Sequence, residues 1–452
     1  MNVVLIVLDT LRADRLSCHG YDRPTSPNLD KLASEGVRFE NCFIQSAGTH
    51  PGFTTIMTGR SPVYHGVISH CGHIPLKDGL KMLPEVLKEQ GYVTAAVDNL
   101  PSTWHSWLPE ETRGVEPEWF RRGYDLFDDY GLLKQTALAT KQNAGQITEK
   151  AFKLLDEIGD REFFLFLHYW DPHTGYFPPP PFDRIYYVGD ETDPKHTSMA
   201  KVREEMGDTV EKWHGNSTKD VTDAKYLIAQ YDGAITYCDY QLGRLFIKLQ
   251  QMGVADDTLI VVTGDHGENM LEHVPYFGHG GLYTCTTHVA LIMKHPRQLP
   301  EGKVFSQLAG HVDIVPTICG ITGKKHPGPL EGIDLSDVVE GERKETREVV
   351  LTAGHELTAA FDGRYRLKKQ WDDRSEEIGR KVLYDDLEDP DELTNVAAKH
   401  PEVVARLSKA IDEWIDAQMK EAGRNVYPYA EQEAKVKASE AALKKMREPQ
   451  GP

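Results

Sequence analysis

The chain contains several uninterrupted apolar runs rich in β-branched residues, and these runs constrain its fold more than any other feature. The clearest are VVLIVL from residue 3, FFLFL from residue 163 and TLIVV from residue 258. Each run has the length of a strand and is followed by polar residues. Strands that are buried on both faces read as continuous apolar runs, so these segments predict a sheet covered on both sides.

Helical patterns alternate with these runs along the first three quarters of the chain. Amphipathic spacing recurs in segments 26–36, 83–91, 148–159 and 225–253. An alternation of strands and helices is typical of α/β proteins. We therefore predict a three-layer α/β/α sandwich around a large mixed, mostly parallel central sheet.

The residues after 345 have a different pattern. Short strand-like segments (REVVLTAG, LTAAFDGRYRLKKQ and KVLYDDLEDP) precede one amphipathic helical segment at 400–423. This pattern predicts a smaller C-terminal subdomain with a short antiparallel sheet and a helix. We predict an α/β domain over residues 1–345, and the subdomain with a helical tail over residues 346–452.

Acidic residues outnumber basic ones, with 70 Asp and Glu against 51 Lys and Arg and a formal net charge of −19. No block of basic residues is present, and an acidic surface repels phosphate backbones, so nucleic acids are not expected as partners. A small anionic substrate stays compatible with this charge because a bound metal ion reverses the local field. The sequence leaves a homo-oligomer open.

No apolar stretch approaches the ~18 residues of a membrane span, so no membrane association is expected. The apolar run after Met1 is too short for a signal sequence and lacks a basic start. The six cysteines are widely spaced without a CxxC pair, which favours free thiols. Together these features predict a cytoplasmic protein.

Polar side chains follow three of the predicted strands, where open α/β sheets place their sites. Asp9 follows the first strand, Asp265 and His266 follow another, and Asp171 and His173 follow FFLFLHYW. A single Asp after a strand is commonly a turn or capping residue. Carboxylates and imidazoles at three strand ends together suit a divalent cation such as Mn²⁺, Zn²⁺ or Mg²⁺.

The segment Gly48–Arg60 is rich in hydroxyls and glycine and has the pattern of a loop entering a helix. Thr49 stands at the predicted helix start, where the helix dipole favours an oxyanion and helps to activate a nucleophile. The same position suits a simple capping residue. The segment alone does not separate these two interpretations.

Several ordered motifs resemble those of sulfatase-like hydrolases of the alkaline phosphatase superfamily. The opening NVVLIVLDTLRAD and then SPNLDKLASEGVRFENCF are similar to the start of that family. The family hallmark reads Cys or Ser, any residue, Pro, any residue, Arg, and later Thr-Gly-Arg. This chain has THPGF at residues 49–53 and TGR at residues 58–60. YDGAITYCDYQLGRL, VVTGDHGE, HVDIVPTI and LYDDLEDPDELTNVA follow in the family's order, to about residue 400.

The resemblance implies a metal site and a nucleophile. Asp9, Asp265 and His266 match the family's metal ligands. Thr49 matches the nucleophile, which in the family also contacts the metal. The cofactor implied is a divalent ion, which we expect to be Mn, Zn, Mg or Ca.

The resemblance also implies contacts around that site. His173 matches a histidine that contacts substrate or donates a proton, and His279 falls near a basic residue that contacts the transferred group. Thr10 stands where many sulfatases have a second aspartate. Asp171 joins these three residues as a candidate contact to phosphate or to a second metal. We favour one metal, because the two-metal relatives space their Asp and His differently.

The sequence departs from the sulfatase pattern at the residues that handle sulfate. Sulfatases oxidise Cys or Ser to formylglycine, whereas oxidation of Thr49 would give a ketone, so no formylglycine is expected. The hallmark Arg is Phe53 here, and the family's Gly-Lys-Trp-His segment reads DNLP at residues 98–101. Two cationic groups that would bind sulfate are therefore replaced.

A threonine nucleophile resembles those of the nucleotide pyrophosphatase/phosphodiesterase and lipoteichoic-acid synthase-like branches of the superfamily. The pair of Asp265 and His266, in place of an Asp-Asn pair, resembles their sites and those of phosphonate monoester hydrolases. The leading hypothesis is a metal-dependent hydrolase of phosphate mono- or diesters or phosphonate esters, which forms a phosphothreonine at Thr49. One alternative is a sulfatase that works without formylglycine. Another is an inactive metal-binding protein with a structural or binding role. The expected partner is a small anionic ester.

Other polar and aromatic residues have competing interpretations. His65, His70, Cys71 and His73 could form a separate zinc site, although a structural role for His65 is favoured. The tryptophans that could form aromatic walls for a substrate are equally typical of packing; they are Trp104, Trp107 and Trp119.

Overall fold

A computed structural model of the protein describes residues 1–69, 74–103, 117–129, 143–215, 218–354, 356–375 and 377–447. The main sheet consists of β1 (Asn2–Leu8), β2 (Val37–Phe43), β3 (Val93–Asp98), β4 (Leu126–Asp129), β5 (Phe163–Tyr169), β6 (Thr258–Gly264), β7 (His288–Lys294) and β8 (Lys303–Gly310). Their order is β4-β3-β5-β1-β6-β7-β2-β8. Strand β7 is antiparallel to β6 and β2, and the other pairings described for this sheet are parallel. The predicted mixed, mostly parallel sheet is confirmed.

Helices cover both faces of this sheet and extend into the C-terminal region. The α-helices of the described residues are α1 (Pro27–Ser34), α2 (Thr49–Thr58), α3 (Pro62–His65), α4 (Leu83–Glu89), α5 (Leu100–Thr103), α6 (Ala144–Ile158), α7 (Ser198–Met206), α8 (Thr209–His214), α9 (Ala224–Gln251), α10 (Thr284–Thr287), α11 (Ile314–Thr322), α12 (Ser336–Val339), α13 (Pro401–Ala422) and α14 (Pro428–Arg447). None of them combines the length and apolarity that crossing a membrane requires.

The alternation of side chains along β1 divides the core into two layers. The even-numbered residues of β1 pack with α1, α6 and α9, and the odd-numbered residues pack with α2, α4 and α11. Successive side chains of a strand point to opposite faces, so each layer of helices covers one face. This arrangement confirms the predicted three-layer sandwich. Asp9 continues the odd-numbered series and therefore emerges on the side of α2.

The C-terminal region forms a smaller sheet from β9 (Val350–Ala353), β10 (Leu357–Phe361), β11 (Tyr365–Gln370) and β12 (Val382–Asp385). Its strands are antiparallel in the order β12-β11-β10-β9. Helix α13 packs on β10 and β11 through a core that includes Leu367, Leu383 and Leu407. The antiparallel sheet and helix are confirmed, and the division between residues 345 and 346 stays a prediction.

Candidate active site

Three potential metal ligands meet where β1 and β6 end. The two strands are parallel neighbours, with Leu8 paired to Gly264, so the residues that follow them reach the same edge of the sheet. Asp9, Asp265 and His266 are each fully buried there. One ligand atom from each lies within 4.8 Å of the others.

The backbone after Asp9 turns sharply and fixes Asp265. Thr10 adopts a left-handed conformation with φ of 60°, which is unusual for a β-branched residue. Its backbone N–H donates to Asp265 Oδ1 at 2.9 Å. The hydroxyl of Tyr231 on α9 donates to the Thr10 carbonyl at 2.6 Å and so supports the turn. Strain of this kind is commonly retained where it positions a functional group.

The hydrogen bonds of His266 define which of its nitrogens faces the two carboxylates. Nδ1 donates to the carbonyl of Gly267 at 3.0 Å, so Nε2 carries the lone pair. Nε2 lies 3.4 Å from Asp265 Oδ2 and 3.9 Å from Asp9 Oδ1. A lone pair directed at two carboxylates is repulsive unless a cation lies between them.

Unsatisfied oxygens provide a direct test of whether these residues fit a metal. Asp9 Oδ1, Asp265 Oδ2 and Thr10 Oγ1 are buried and have no hydrogen-bond partner among the described residues. Leaving a buried carboxylate oxygen unpaired is unfavourable, so such atoms point to a missing cation or water. Two carboxylates and one imidazole suit Mn²⁺, Zn²⁺ or Mg²⁺. The residues present therefore fit a divalent metal.

Burial also shifts the pKa values of these groups. It raises the pKa of Asp9, and the nearby charge of Asp265 raises it further. Burial raises the pKa of Asp265 to about 6. Burial lowers the pKa of His266 to about 3, which keeps the imidazole neutral at pH 7. A divalent cation would favour the ionised carboxylates and so oppose the effect of burial.

Thr49 is the first residue of α2, and its hydroxyl faces the potential metal ligands. The N-cap residue of the helix is Gly48, so Thr49 is not the capping residue. Thr49 Oγ1 lies 3.4 Å from His266 Nε2, and the residue is 1% exposed. The structure thus places Thr49 beside the ligands and at the positive end of a helix dipole.

Two further histidines, both partly exposed, lie near this cluster. The ring of His279 is 4.3 Å from that of His266 and 5.4 Å from that of His173, centroid to centroid. Glu268, which is fully buried, lies 3.3 Å from His279 Nδ1 through Oε1. Burial lowers the pKa of His279, but the bond and charge of Glu268, together with the charges of Asp9 and Asp265, leave that pKa above its ordinary value. His173 Nδ1 donates to the carbonyl of Thr174 at 3.0 Å.

The Asp171 carboxylate forms a hydrogen bond at the start of α6 and not with the potential metal ligands. Its Oδ2 accepts a hydrogen bond from the backbone N–H of Ala144 at 2.8 Å, at the start of α6. Among the described residues, it does not belong to the group that could hold a metal. A second metal site involving Asp171 stays a prediction.

The remaining candidate site residues either pack or bond away from the potential metal ligands or lie outside the described residues. His65 accepts from the backbone N–H of Val67 and lies 3.1 Å from the Thr55 hydroxyl. Trp119 is buried in the core that includes α2 and α4. The cysteines among the described residues carry free thiols, as predicted. The candidates that lie outside the described residues are His70, Cys71, His73, Trp104 and Trp107.

Sequence reasoning overlooked His168 and Glu268, which both lie at the site. His168 is fully buried at the end of β5, and its Nδ1 lies 2.8 Å from Asp98 Oδ1. Burial lowers the pKa of His168, but its bonds to Asp9 and Asp98 raise it to about 9. The available signal was a histidine within the apolar run FFLFLHYW. Glu268 is the last residue of VVTGDHGE and offered no signal of its own.

Comparisons with known proteins show which family the chain is similar to. Residues 1–324 match the family model described as Sulfatase, and residues 272–417 match that described as N-sulphoglucosamine sulphohydrolase, C-terminal. An arylsulfatase of Clostridium perfringens is 25% identical over 448 residues, which cover 87% of this chain and 90% of that protein.

Relatives with other names are similar to the chain as well. A multifunctional alkaline phosphatase superfamily protein of Trinickia caryophylli is 25% identical over 402 residues, which cover 74% of this chain and 76% of that protein. The crystal structure of a phosphonate monoester hydrolase of Agrobacterium radiobacter has a TM-score of 0.71 at 22% identity. That match covers 93% of this chain and 96% of the other, and it demonstrates a shared fold.

Proposed function

The chain belongs to the sulfatase family of ester hydrolases, and from that premise we propose that it is a metal-dependent hydrolase of phosphate mono- or diesters or phosphonate esters. The observation that carries the proposal is the position of Thr49. An ordinary threonine hydroxyl lies 3.4 Å from His266 Nε2, where a sulfatase would have an oxidisable Cys or Ser. The proposed nucleophile is this unmodified hydroxyl.

Asp9, Asp265 and His266 are the proposed protein ligands of one divalent cation, with the Thr49 oxygen beside it. Such a cation, when bound, supplies positive charge that lowers the pKa of a neighbouring hydroxyl and stabilises the charge that develops on a phosphoryl oxygen. The unpaired oxygens of Asp9 and Asp265 support this assignment. The start of α2 contributes further positive potential from its backbone N–H groups.

Catalysis proceeds in two displacements at phosphorus. The Thr49 hydroxyl loses its proton to solvent, and its oxygen forms a bond to phosphorus while the bond from phosphorus to the leaving oxygen breaks. The product is a phosphothreonine, and the leaving oxygen accepts a proton. A water molecule then gives up a proton and forms a bond to phosphorus, the bond to Thr49 Oγ1 breaks, and Oγ1 takes a proton from solvent, which restores the threonine hydroxyl.

His173 and His279 have the proposed roles of proton donor and phosphoryl contact. His173 uses Nδ1 to bond the Thr174 carbonyl, so proton exchange with the substrate falls to Nε2. It donates a proton to the leaving oxygen in the first displacement and accepts one from water in the second. His279 is held by Glu268 at Nδ1, so its Nε2 is the nitrogen that contacts a phosphoryl oxygen. Thr10 Oγ1 is a further candidate contact, since it has no partner among the described residues.

The sulfate-ester alternative is supported by the relatives that are named as sulfatases. Two sulfate-binding cations of the family are absent, since Phe53 replaces the hallmark Arg and Asn99 replaces the Lys of the Gly-Lys-Trp-His segment, and this favours phosphorus instead. The net charge of −19 favours a small substrate over a nucleic acid. Location in the cytoplasm and the identity of the ion also belong to this proposal.

A parallel rate screen tests the proposed function. The metal-loaded protein is offered an aryl phosphate monoester, an aryl phosphodiester, an aryl phosphonate ester and an aryl sulfate, and its bound metal is measured. We expect a phosphorus ester to be hydrolysed faster than the sulfate. A faster sulfate ester would favour the sulfatase alternative. Bound metal without hydrolysis of any ester would favour the inactive alternative.

A further inference from the structure

Two of the residues that depart from the sulfatase pattern, Phe53 and Asp98, contact the same side chain, that of His168. The ring of Phe53 packs on the imidazole of His168, with their centroids 4.3 Å apart. Asp98 Oδ1 lies 2.8 Å from His168 Nδ1. Phe53 comes from α2 and Asp98 from the end of β3, so His168 is held from two directions.

The other nitrogen of His168 reaches a proposed metal ligand. His168 Nε2 lies 3.4 Å from Asp9 Oδ2, and all three residues of this Asp98–His168–Asp9 chain are at most 1% exposed. The chain crosses three neighbouring strands, because β5 lies between β3 and β1. His168 on β5 pairs with Val7 on β1. Asp9 follows Val7 by two residues, so the side chains of Asp9 and Val7 point to the same face of the sheet.

The two carboxylate oxygens of Asp9 thus have different surroundings. Oδ2 faces His168, while Oδ1 has no hydrogen-bond partner among the described residues and lies 3.9 Å from His266 Nε2. A carboxylate held at one oxygen has its rotation restricted, so its other oxygen keeps one direction. That direction is toward Asp265 and His266.

We infer that His168 is a positioning residue, which Asp98 and Phe53 hold so that it aligns Asp9 for binding a divalent cation. The inference rests on the metal site of the proposed function. Asp98 is itself fixed, because its Oδ1 also accepts from the backbone N–H groups of Asn99 and Leu100 at 2.7 and 3.1 Å. Partners that orient a metal ligand typically change metal affinity or activity by ~10–100-fold when mutated.

Titration of the metal-free protein with Mn²⁺, followed by calorimetry, tests this inference. We expect His168→Leu, which removes both polar contacts at similar volume, to weaken Mn²⁺ binding by ~10–100-fold. His168→Gln should lose less Mn²⁺ affinity than His168→Leu, because the glutamine amide still offers a hydrogen-bond donor to Asp9. Asp98→Asn should weaken binding in the wild-type background and have no further effect beside His168→Leu, since coupled residues are not additive.

His65→Leu is the matched control. It removes another fully buried imidazole, which bonds Thr55 and Val67 and does not contact the proposed ligands. We expect it to lower thermal stability and leave Mn²⁺ affinity unchanged. Circular dichroism establishes which variants fold, and His168→Gln with Asp98→Asn carry the test if His168→Leu does not.

The outcomes separate this inference from the proposed function. Folded His168 and Asp98 variants that bind Mn²⁺ as tightly as the wild type would overturn the inference alone. An equal loss of affinity in His65→Leu would also overturn it, because the effect would then come from general destabilisation. A wild-type protein that binds none of Mn²⁺, Zn²⁺, Mg²⁺ and Ca²⁺ would contradict the metal site itself, and with it the proposed function.

Discussion

The hydroxyl of Thr49 lies 3.4 Å from Nε2 of His266, so the first residue of helix α2 meets the end of strand β6. Thr49 and His266 are 217 positions apart in the sequence. Because His266 Nδ1 is bonded to the Gly267 carbonyl, Nε2 presents a lone pair toward the same space as the threonine oxygen. The proposed nucleophile and a potential metal ligand thus lie side by side in a buried part of the protein.

The first prediction concerns metal binding. Asp265→Asn should reduce bound metal and activity together, by more than the ~10–100-fold typical of residues that only support a ligand. Bound metal in the purified variant is measured by elemental analysis. Asp239→Asn is the control, since Asp239 is a buried carboxylate that bonds the backbone N–H groups of Asn28 and Leu29. Equal metal content in wild type and Asp265→Asn would disprove the assignment.

The second prediction concerns the stability of the metal-free protein. Burial raises the pKa of Asp265 to about 6 from an ordinary value of 3.8. A carboxyl with a raised folded-state pKa destabilises the fold above that pKa, by up to ~3 kcal/mol, and this effect disappears as pH falls through about 6 toward the unfolded value. Asp265→Asn should therefore melt at a higher temperature than wild type at about pH 8 and at the same temperature at about pH 4.

Adding metal should reverse the order of the melting temperatures of wild type and Asp265→Asn. With saturating Mn²⁺ at about pH 8, only the wild type gains stability from binding, because ligands stabilise the state that binds them. Thermal melts with a chelator and with Mn²⁺ check both parts. A metal-free Asp265→Asn protein that is less stable than wild type at about pH 8 would count against the shifted pKa.

The third prediction concerns the leaving group. His173→Ala should lower kcat/KM by ~10²–10⁴-fold for an alkyl phosphodiester and far less for an activated aryl one, because a good leaving group needs little proton transfer. His279→Ala is the comparison: loss of a phosphoryl contact should slow both substrates alike. The same loss on both substrates in His173→Ala would indicate binding or structure instead of acid catalysis.

Much of this arrangement is encoded locally. The apolar runs predict β1, β5 and β6 because strands buried on both faces need apolar residues at every position. Since parallel strands end at one edge, their order in the sheet brings Asp9, Asp265 and His266 together. The hydroxyl-rich loop likewise predicts that Thr49 begins a helix, which is confirmed.

Other elements were not predicted from local patterns. Strands β4 and β8 lack a long apolar run, since β4 is partly exposed and β8 is exposed over its first residues. They become strands because neighbouring strands offer unpaired backbone groups. Asp171 resembles a ligand in sequence but bonds Ala144, a partner that comes close only in the folded chain.

The contacts of His168 likewise could not be predicted from local sequence patterns. A histidine in an apolar strand has no assigned partner until the order of β3, β5 and β1 is known. Only that order places Asp98 and Asp9 on its two sides. The substitutions at Phe53 and Asp98 are visible in the sequence, but their shared contact with His168 is a tertiary relationship.

The fourth prediction concerns the nucleophile. Thr49→Ala should lose most turnover yet keep its metal, because the threonine oxygen is one of several groups around the cation. Thr49→Ser should keep part of the activity, since the hydroxyl stays and only the rotamer restraint of the β-branch is lost. Steady-state rates and bound metal are measured on both variants. Full activity in Thr49→Ala would refute a nucleophilic role.

The mass of the peptide that contains Thr49 tests the central claim most directly. His173→Ala is mixed with an activated aryl phosphodiester and quenched with acid; the first displacement then needs no acid catalyst, while the second lacks its base. We predict that Thr49 is unmodified in the resting protein and carries the phosphoryl ester after quenching. A resting peptide lighter by two hydrogens, or release of one equivalent of aryl product with no adduct on Thr49, would contradict the account.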